Sequence, residues 1–391
     1  MLRATCIILF ISFNSFAQNS LISRLEAQMS VSLRELSEIS QTAGNKVSPR
    51  TVRNDSLILV APRDWCSGFY PGNLWFLYEL TGKSYWKEKA EFYTQKIESE
   101  KFNGGTHDLG FKMLGSFGNG WRLQASEMYK TILLQSAKTL STRFNPKTGV
   151  IRSWDHSRNK WDYPVIIDNM MNLELLFWAF KQTKDSSFYR IAVNHANTTM
   201  RNHFRPDFSS FHVVDYDVTT GLVKKKNTHQ GYADESAWSR GQAWALYGYA
   251  VCYRETGDKK YLQLAENIAQ FIFSHPRLPS DLIPFWDFDD PKIPNVPRDA
   301  SAAAVTASAL FQLASLKSKY AKDHIKKAEK ILASLSTPTY LAPEGTNHGF
   351  LLKHSTGGLP NGFEIDAPIV YADYYFLEAL TYQKKMHLSR H

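Results

Sequence analysis

Three stretches of the chain share one internal spacing, and that spacing limits the fold more than any other feature. They are "TGKSYWKEKA" from Thr81, "TKDSSFYRIA" from Thr183 and "TGDKKYLQLA" from Thr256. Each follows an apolar, aromatic-rich stretch: "NLWFLYEL", "NLELLFWAFKQ" and "AWALYGYAVCYRE". In all three, Thr and Ala stand nine residues apart, with an aromatic four to six residues after the Thr. The Gly or Lys after Thr ends one helix, Asp or Ser starts the next, and the aromatic packs on its first turn. The repeated unit is therefore an αα-hairpin, and repetition of one unit governs the architecture. Less regular helical stretches fill the gaps, among them "RLQASEMYKTILLQSAKTLSTRF", "DASAAAVTASALFQLASL", "DHIKKAEKILASL" and "YADYYFLEALTYQ". About six hairpins is the count of a closed (α/α)6 barrel, an all-α fold, with an open right-handed solenoid as the alternative. A hydrophobic content of 43% is ample for such a core.

Long loops separate the hairpins: "APRDWCSGFYPGN", "NGGTHDLGF", "SWDHSRNKWDYPVIIDN", "HQGYADESAWSRGQAW" and "PFWDFDDPKIPNVPRDASA". Loops of this length inside a compact domain usually carry function. Each leads into an apolar helix, so they are expected to open at one end of the ring. Trp65, Trp121, Trp154, Trp161, Trp238, Trp244 and Trp286 all lie in or beside them. Flat rings stack on pyranose faces while polar groups read hydroxyls, so the expected ligand is a carbohydrate.

The first residues, "MLRATCIILFISFNSFAQNS", combine Arg3, an apolar run from Ile7 to Phe16, and small residues before Gln18. This reads as a secretory signal peptide over 1–17, leaving one catalytic domain over 18–391 in a periplasmic or secreted protein. No later stretch approaches the roughly 18 apolar residues of a membrane span. After cleavage Cys66 and Cys252 remain, too few for a disulfide scaffold. Cys252 is expected as a buried free thiol, with a bridge to Cys66 the lesser alternative. A formal charge of +9 favours anionic partners. Nucleic acid is disfavoured by the export signal and by the lack of any dense basic run beyond Lys224–Lys226, which is read as a solvated loop.

Three constellations bear on chemistry. "GGTHDLGFKM" places His107 and Asp108 after two glycines that permit a tight turn beside a ligand, or simply a turn in which Asp108 caps the next helix. "YPVIIDNMMNLELLFWAF" sets Asp168 between Ile166, Ile167, Met170 and Met171. Two readings stay open there: a helix N-cap, or a carboxyl kept dry so that it holds its proton. "HQGYADESAWSRGQAWALYG" gathers Trp238, Arg240, Gln242 and Trp244 at one helix start. Arg240 there suits a ligand carboxylate or sulfate, or pairs with Asp234 or Glu235. There is no HExxH, no Cys/His cluster and no EF-hand loop, so neither a metal nor another cofactor is indicated. With no nucleophile elbow and no phosphate loop, carboxylate acid–base work on a sugar remains.

Together, "DWCSGFYPGNLWFLYELTG", "HDLGF", "IIDNMMNLELL", "HQGYADESAWSRGQAWALYG", "PRDASAAA" and "YADYYFLEAL" resemble the unsaturated glucuronyl hydrolases of glycoside hydrolase family 88. The resemblance runs over nearly all of the mature chain, in the expected order. The related unsaturated rhamnogalacturonyl hydrolases share the ring and a similar aspartate pair and stand as the alternative. The resemblance implies an (α/α)6 barrel that removes a 4,5-unsaturated uronic acid from the non-reducing end of lyase-generated oligosaccharides. It makes Asp168 the acid/base and Asp108 its assistant. It assigns His212, Gln230 and Arg240 to the unsaturated uronate, Trp238 and Trp244 to the pocket walls, and His107 to a place beside Asp108. Trp65 is assigned to the same pocket. A polysaccharide lyase and a non-catalytic sugar-binding protein are the rivals from other classes. Lys353, His354, Ser355 and Thr356 are candidates to receive a sulfate on the next sugar, unless "GGLPNG" is only a turn and Lys353 a solvated charge.

Overall fold

Each repeated Thr closes the turn of its hairpin in the same way. Thr81, Thr183 and Thr256 donate their hydroxyls to the carbonyls of Leu77, Ala179 and Cys252 at 2.7, 2.8 and 2.7 Å. The same oxygens accept the backbone N–H of Lys83, Asp185 and Asp258 across the turn. Between them Gly82, Lys184 and Gly257 adopt left-handed φ of 71°, 62° and 70°, the conformation that ends a helix. Asp185 and Asp258 then cap the next helix through the N–H of Ser187 and Lys260. Trp86, Phe188 and Tyr261 are buried on that first turn, as are Ala90, Ala192 and Ala265 one turn on.

The computed structural model describes residues 2–39, 44–316 and 318–388, with side chains from Asn19 onward. Twelve α-helices appear among them. Those of the outer layer are α1 (Leu2–Ile39), α3 (Ser84–Gln95), α5 (Glu127–Ser141), α7 (Ser186–Asn202), α9 (Lys259–Ser274) and α11 (Ala321–Leu335). The inner layer holds α2 (Phe69–Thr81), α4 (Asn119–Gln124), α6 (Leu173–Thr183), α8 (Ser239–Thr256), α10 (Ala300–Ser315) and α12 (Val370–Leu388). A π-helical turn, Gly110–Gly118, runs directly into α4 and lengthens that inner segment. Consecutive inner segments pack side by side, and α12 returns to pack on α2. That last contact closes the ring and excludes the open solenoid: the fold is an (α/α)6 barrel.

The sequence reading passed over one helix. The part of α1 after the expected cleavage point buries Leu25, Met29, Leu33 and Leu36 beside α2. The expected leader, residues 1–17, lies outside the described side chains. Among the described residues no helix is long and apolar enough to cross a membrane. Cys66 and Cys252 are both free and buried, so the bridge does not form.

Small antiparallel sheets interrupt the all-α plan. They are β1 (Ser48–Arg53) with β2 (Ser56–Val60), β3 (Phe144–Asn145) with β4 (Val150–Ile151), and a three-stranded sheet of β5 (Pro164–Ile166), β6 (Val213–Tyr216) and β7 (Val223–Asn227). Lys224–Lys226, expected as a loop, lie in β7, where Lys226 covers the Phe211 ring at 4.6 Å. The β5–β6 pairing sets Ile166 opposite Val213. It thereby brings the residues that follow β5 and those that precede β6 to one place.

Candidate active site

That place is a cavity of about 270 Å³ at the N-terminal ends of the inner helices. Loops preceding four inner segments line it: Trp65 before α2, Thr106, His107 and Asp108 before the π-turn, Asp168 before α6, and His229 and Gln230 before α8. Arg50 from β1 and Gly357, Phe363 and Glu364 from the segment before α12 complete the rim. A larger cavity, about 900 Å³, lies outside the ring between α1 and α3, and no carboxylate lines it among the described residues.

Asp168 sits in a 3-10 turn, Ile167–Asn172, that joins β5 to α6. Its carboxyl does not cap a helix: no side-chain cap bond forms at the start of that turn or of α6. The side chain is buried, 12% exposed, and Oδ2 has no hydrogen-bond partner. Burial pushes the Asp168 carboxyl up to about 6, against the pull of His107 and Arg240, with a smaller upward push from Asp108. The apolar frame expected from the sequence divides between the cavity wall and other parts of the barrel. Of Ile166, Ile167, Met170 and Met171, only Ile166 shares the cavity wall with it. Met170 packs where a Cβ on Gly248 of α8 would fall, and Met171 lines a separate cavity along the inner helices. A 3-10 turn winds faster than the α-helix assumed for this segment, so successive residues point elsewhere.

Asp108 behaves in the opposite sense. Burial would raise its carboxyl, yet His107, a bond from Thr106 and the charge of Lys112 together hold it below the usual carboxylate range. His107 Nε2 stands 3.1 Å from Oδ1 and Thr106 Oγ1 donates to Oδ2 at 2.5 Å. The backbone carbonyl of Asp108, not the carboxyl, accepts the N–H of Lys112 that opens the helical turn. The loop reaches the Asp168 segment because Gly110 has no side chain: a Cβ there would fall 2.4 Å from Asn172 Cα. The Phe111 N–H then donates to Asn172 Oδ1 at 3.0 Å. π-Turns of this kind recur at functional sites. The result is two carboxyls on one cavity, one that holds its proton up to about pH 6 and one that gives it up below the usual carboxylate range.

His212 stands just behind Asp168. Its carbonyl accepts the Ile167 N–H, and its Nε2 lies 3.6 Å from Asp168 Oδ2, too far for a hydrogen bond. Nδ1 accepts the backbone N–H of His229 and Gln230 at 3.0 and 3.1 Å. An imidazole accepting at Nδ1 carries its proton at Nε2. Burial, then His229 and Arg240, hold its pKa well below the ordinary histidine value, so the ring is neutral.

Arg240, at the first turn of α8, is 1% exposed. It pairs with Asp299 rather than with Asp234 or Glu235: Nη1 donates to Asp299 Oδ2 at 2.6 Å. Nη1 also reaches the carbonyl of Thr356, and Nη2 that of Gly357, each at 2.5 Å. Gln230 Nε2 donates to the same Gly357 carbonyl at 3.0 Å. The guanidinium lies 4.5 Å over Trp238 and 5.3 Å over Tyr371.

No family model matches the chain. It is, however, 51% identical over 331 residues to an unsaturated glucuronyl hydrolase of Formosa agariphila, covering 84% of this chain and 82% of that one. The chain belongs to the unsaturated glucuronyl hydrolases. A crystal structure of an unsaturated glucuronyl hydrolase specific for heparin superposes with a TM-score of 0.88 at 46% identity, over 94% of this chain and 98% of that one. Another solved structure, an aspartate-to-asparagine variant with dGlcA-Glc-Rha-Glc, superposes at 0.84 with 29% identity, covering 91% and 95%.

Within this member of the unsaturated glucuronyl hydrolases, the residues singled out from sequence divide into two layers. Trp65, His107, Asp108, Asp168, Gln230 and Arg240 line the cavity. His212, Trp238 and Trp244 do not. Trp238 lies behind the wall, 4.7 Å from His212, and Trp244 packs into the barrel core against Phe111 and Tyr375. The two tryptophans are therefore supports and not walls. Trp154 takes the wall position instead, stacked on His156 at 5.2 Å with His229 tilted against it at 5.6 Å. Its loop was conspicuous in the sequence, but nothing there ranked it above its neighbours. Arg50, Glu364 and Tyr371 were also missed; Arg50 lies in a hairpin far from any motif and bonds to Asp64 and Glu364. The sulfate candidates fall outside the cavity. Ser355 and Thr356 are buried, Lys353 Nζ donates to the Pro338 carbonyl and His354 faces Asp366.

Proposed function

We propose that Asp168 protonates C4 of a 4,5-unsaturated uronic acid at the non-reducing end of a lyase-generated oligosaccharide. The C4=C5 bond is a vinyl ether, so the positive charge falls on C5 and is shared with the ring oxygen. Water adds at C5 and returns a proton to the now ionised Asp168. The resulting hemiketal opens, and the hemiacetal left at C1 sheds the next sugar. One water is consumed and Asp168 ends as it began. Asp108, held anionic, steadies the charge and orients the water. The two N–H donors that Arg240 does not spend on Asp299, Thr356 and Gly357 are available to the uronate carboxylate. Trp65 and Trp154 face the sugar from the cavity wall.

The observation that carries this reading is the opposed pair: Asp168 raised to about 6 beside Asp108 lowered, both on a cavity small enough for an exo-acting enzyme. Turnover needs protonated Asp168 and ionised Asp108. The kcat profile is therefore expected to fall as pH rises through about 6, with the acid limb below the usual carboxylate range. Loss of ultraviolet absorbance from a panel of unsaturated disaccharides, sulfated and unsulfated, measures both rate and preference. A rising absorbance on polymer would mean a lyase instead. The heparin-specific relative and the basic balance of the chain favour a glycosaminoglycan fragment, with an ulvan fragment as the second candidate.

Export is part of the proposal, on the strength of Arg3, the Ile7–Phe16 run and Ala17. Mass spectrometry of protein recovered outside the cytoplasm is expected to place the N-terminus at Gln18. A cytosolic protein retaining residues 1–17 would refute export.

A further inference from the structure

Asp299 is fully buried and its two carboxylate oxygens have separate tasks. Oδ1 caps α10, accepting the N–H of Ser301 and Ala302 at 3.0 and 3.4 Å. It also receives the Ser301 hydroxyl and, at 3.4 Å, the Thr356 N–H. Oδ2 takes Arg240 Nη1. A cap needs one oxygen and no charge, and neutral Asn or Ser serves there as well as Asp. The second oxygen and the negative charge are thus surplus to the cap. Both are directed at Arg240, the guanidinium that acts on Asp168 from the cavity wall.

The consequence runs through Arg240 to the rim. Its guanidinium is held by Asp299 on one side and by the carbonyls of Thr356 and Gly357 on the other. Gly357 begins the rim segment that carries Phe363 and Glu364, and its N–H and that of Gly358 pair back to Glu364 and Phe363. The Thr356 hydroxyl donates to the Arg298 carbonyl, and the Ala300 N–H to the His354 carbonyl, so the rim is stitched to the start of α10. Without Oδ2, Nη1 keeps only a carbonyl, and the guanidinium is free to turn toward the cavity or away from it.

We infer that Asp299 is a positioning residue: it fixes the direction of the Arg240 guanidinium, and with it the 355–358 rim, for the carboxylate of the unsaturated sugar. The inference rests on the proposed role of Arg240. It separates cleanly from a capping role, because Asp299→Asn keeps an oxygen for the N–H groups of Ser301 and Ala302 while removing the charge.

The groups facing Asp168 are His107, Asp108, His212 and Arg240, and of these Arg240 is the cation that Asp299 neutralises. Loss of Asp299 leaves that cation less compensated, which favours ionised Asp168 and moves the alkaline limb of kcat to lower pH. Steady-state kinetics on an unsaturated chondroitin disaccharide would compare the parent, Asp299→Asn, Arg240→Met and the double variant. Asp299→Asn is expected to raise KM about tenfold and shift the limb downward. In the Arg240→Met background it should leave KM unchanged, since the two act on the uronate as one unit. A parent-like KM and pH profile in Asp299→Asn, with KM raised in Arg240→Met, would leave Asp299 a cap and overturn the inference alone. An unchanged KM in Arg240→Met would remove the role of Arg240 on which it rests. If Asp299→Asn does not fold by itself, the double variant, in which neither charge is left unpaired, decides by comparison with Arg240→Met. Equal KM supports the inference and a further rise overturns it.

Discussion

Asp168→Asn is expected to bind the unsaturated disaccharide with near-parent affinity and to turn it over at least a thousandfold more slowly. General acid–base catalysis by one positioned side chain is worth about 10²–10⁴ in rate, and here a single carboxyl gives the proton and takes it back. Asn has nearly the same volume and cannot supply a proton, so the cavity persists while the step at C4 loses its acid. Titration calorimetry against loss of absorbance separates the two quantities, and full activity in the variant would exclude Asp168 as the acid. A second consequence concerns stability. Folded Asp168 keeps its proton to a higher pH than the unfolded chain does, so the native state loses stability as pH rises from the ordinary carboxylate range through about 6. Completing that ionisation opposes folding by roughly 3 kcal/mol. Asn does not ionise, and the variant is expected to melt no lower than the parent above pH 7. The carboxyl is therefore retained at the expense of the fold, which is the pattern of a functional group.

The helical hairpins were legible because their cause is local. A Thr four residues after a carbonyl and two before an N–H closes the same turn wherever it recurs, so the Thr–Ala spacing carried the architecture. The part of α1 after residue 18 was legible too and went unread: Leu21, Leu25 and Met29 repeat every four residues, and Leu33 and Leu36 continue that face. The aspartate pair was visible as two separate oddities, and family resemblance joined them. What joins them physically is the approach of Gly110 to Asn172 and the pairing of Ile166 with Val213, contacts across about sixty and fifty residues that no local window contains. The same limit explains the misplacement of Trp238 and Trp244. Both sit at the correct helix start, but which side of a wall a ring occupies depends on other segments: His212 for Trp238, and Phe111, Tyr371 and Tyr375 for Trp244. Arg240 was correctly marked as a cation needing an anion, yet nearby acidic residues in sequence were the wrong guide. Its partner lies 59 residues away, in a motif of the family resemblance whose aspartate had been given no partner.

Arg240→Ala is expected to weaken binding and the fold together, each to a degree that can be read separately. On binding, the variant removes the cation at the cavity edge. A hydrogen bond to a charged group contributes about 1.5–3 kcal/mol, so KM should rise by roughly ten- to a hundredfold. On stability, Asp299 is left fully buried with its counter-ion gone, and the Thr356 carbonyl loses its guanidinium donor, while Gly357 keeps Gln230. Breaking one partner out of a buried pair costs about 3–5 kcal/mol, which urea unfolding at pH 7 would register as a lower midpoint with little change in slope. The two effects have different remedies. Asp299→Asn placed on top of Arg240→Ala removes the stranded charge and should return part of the stability while leaving KM high. The pH profile offers a third reading, opposite in sign to that of Asp299→Asn alone. Arg240 pulls the Asp168 carboxyl down, so its loss should carry the alkaline limb of kcat to higher pH. A destabilised variant with parent-like KM and an unmoved limb would make Arg240 an architectural residue and return the recognition of the uronate to Gln230, His107 and the wall of aromatic rings.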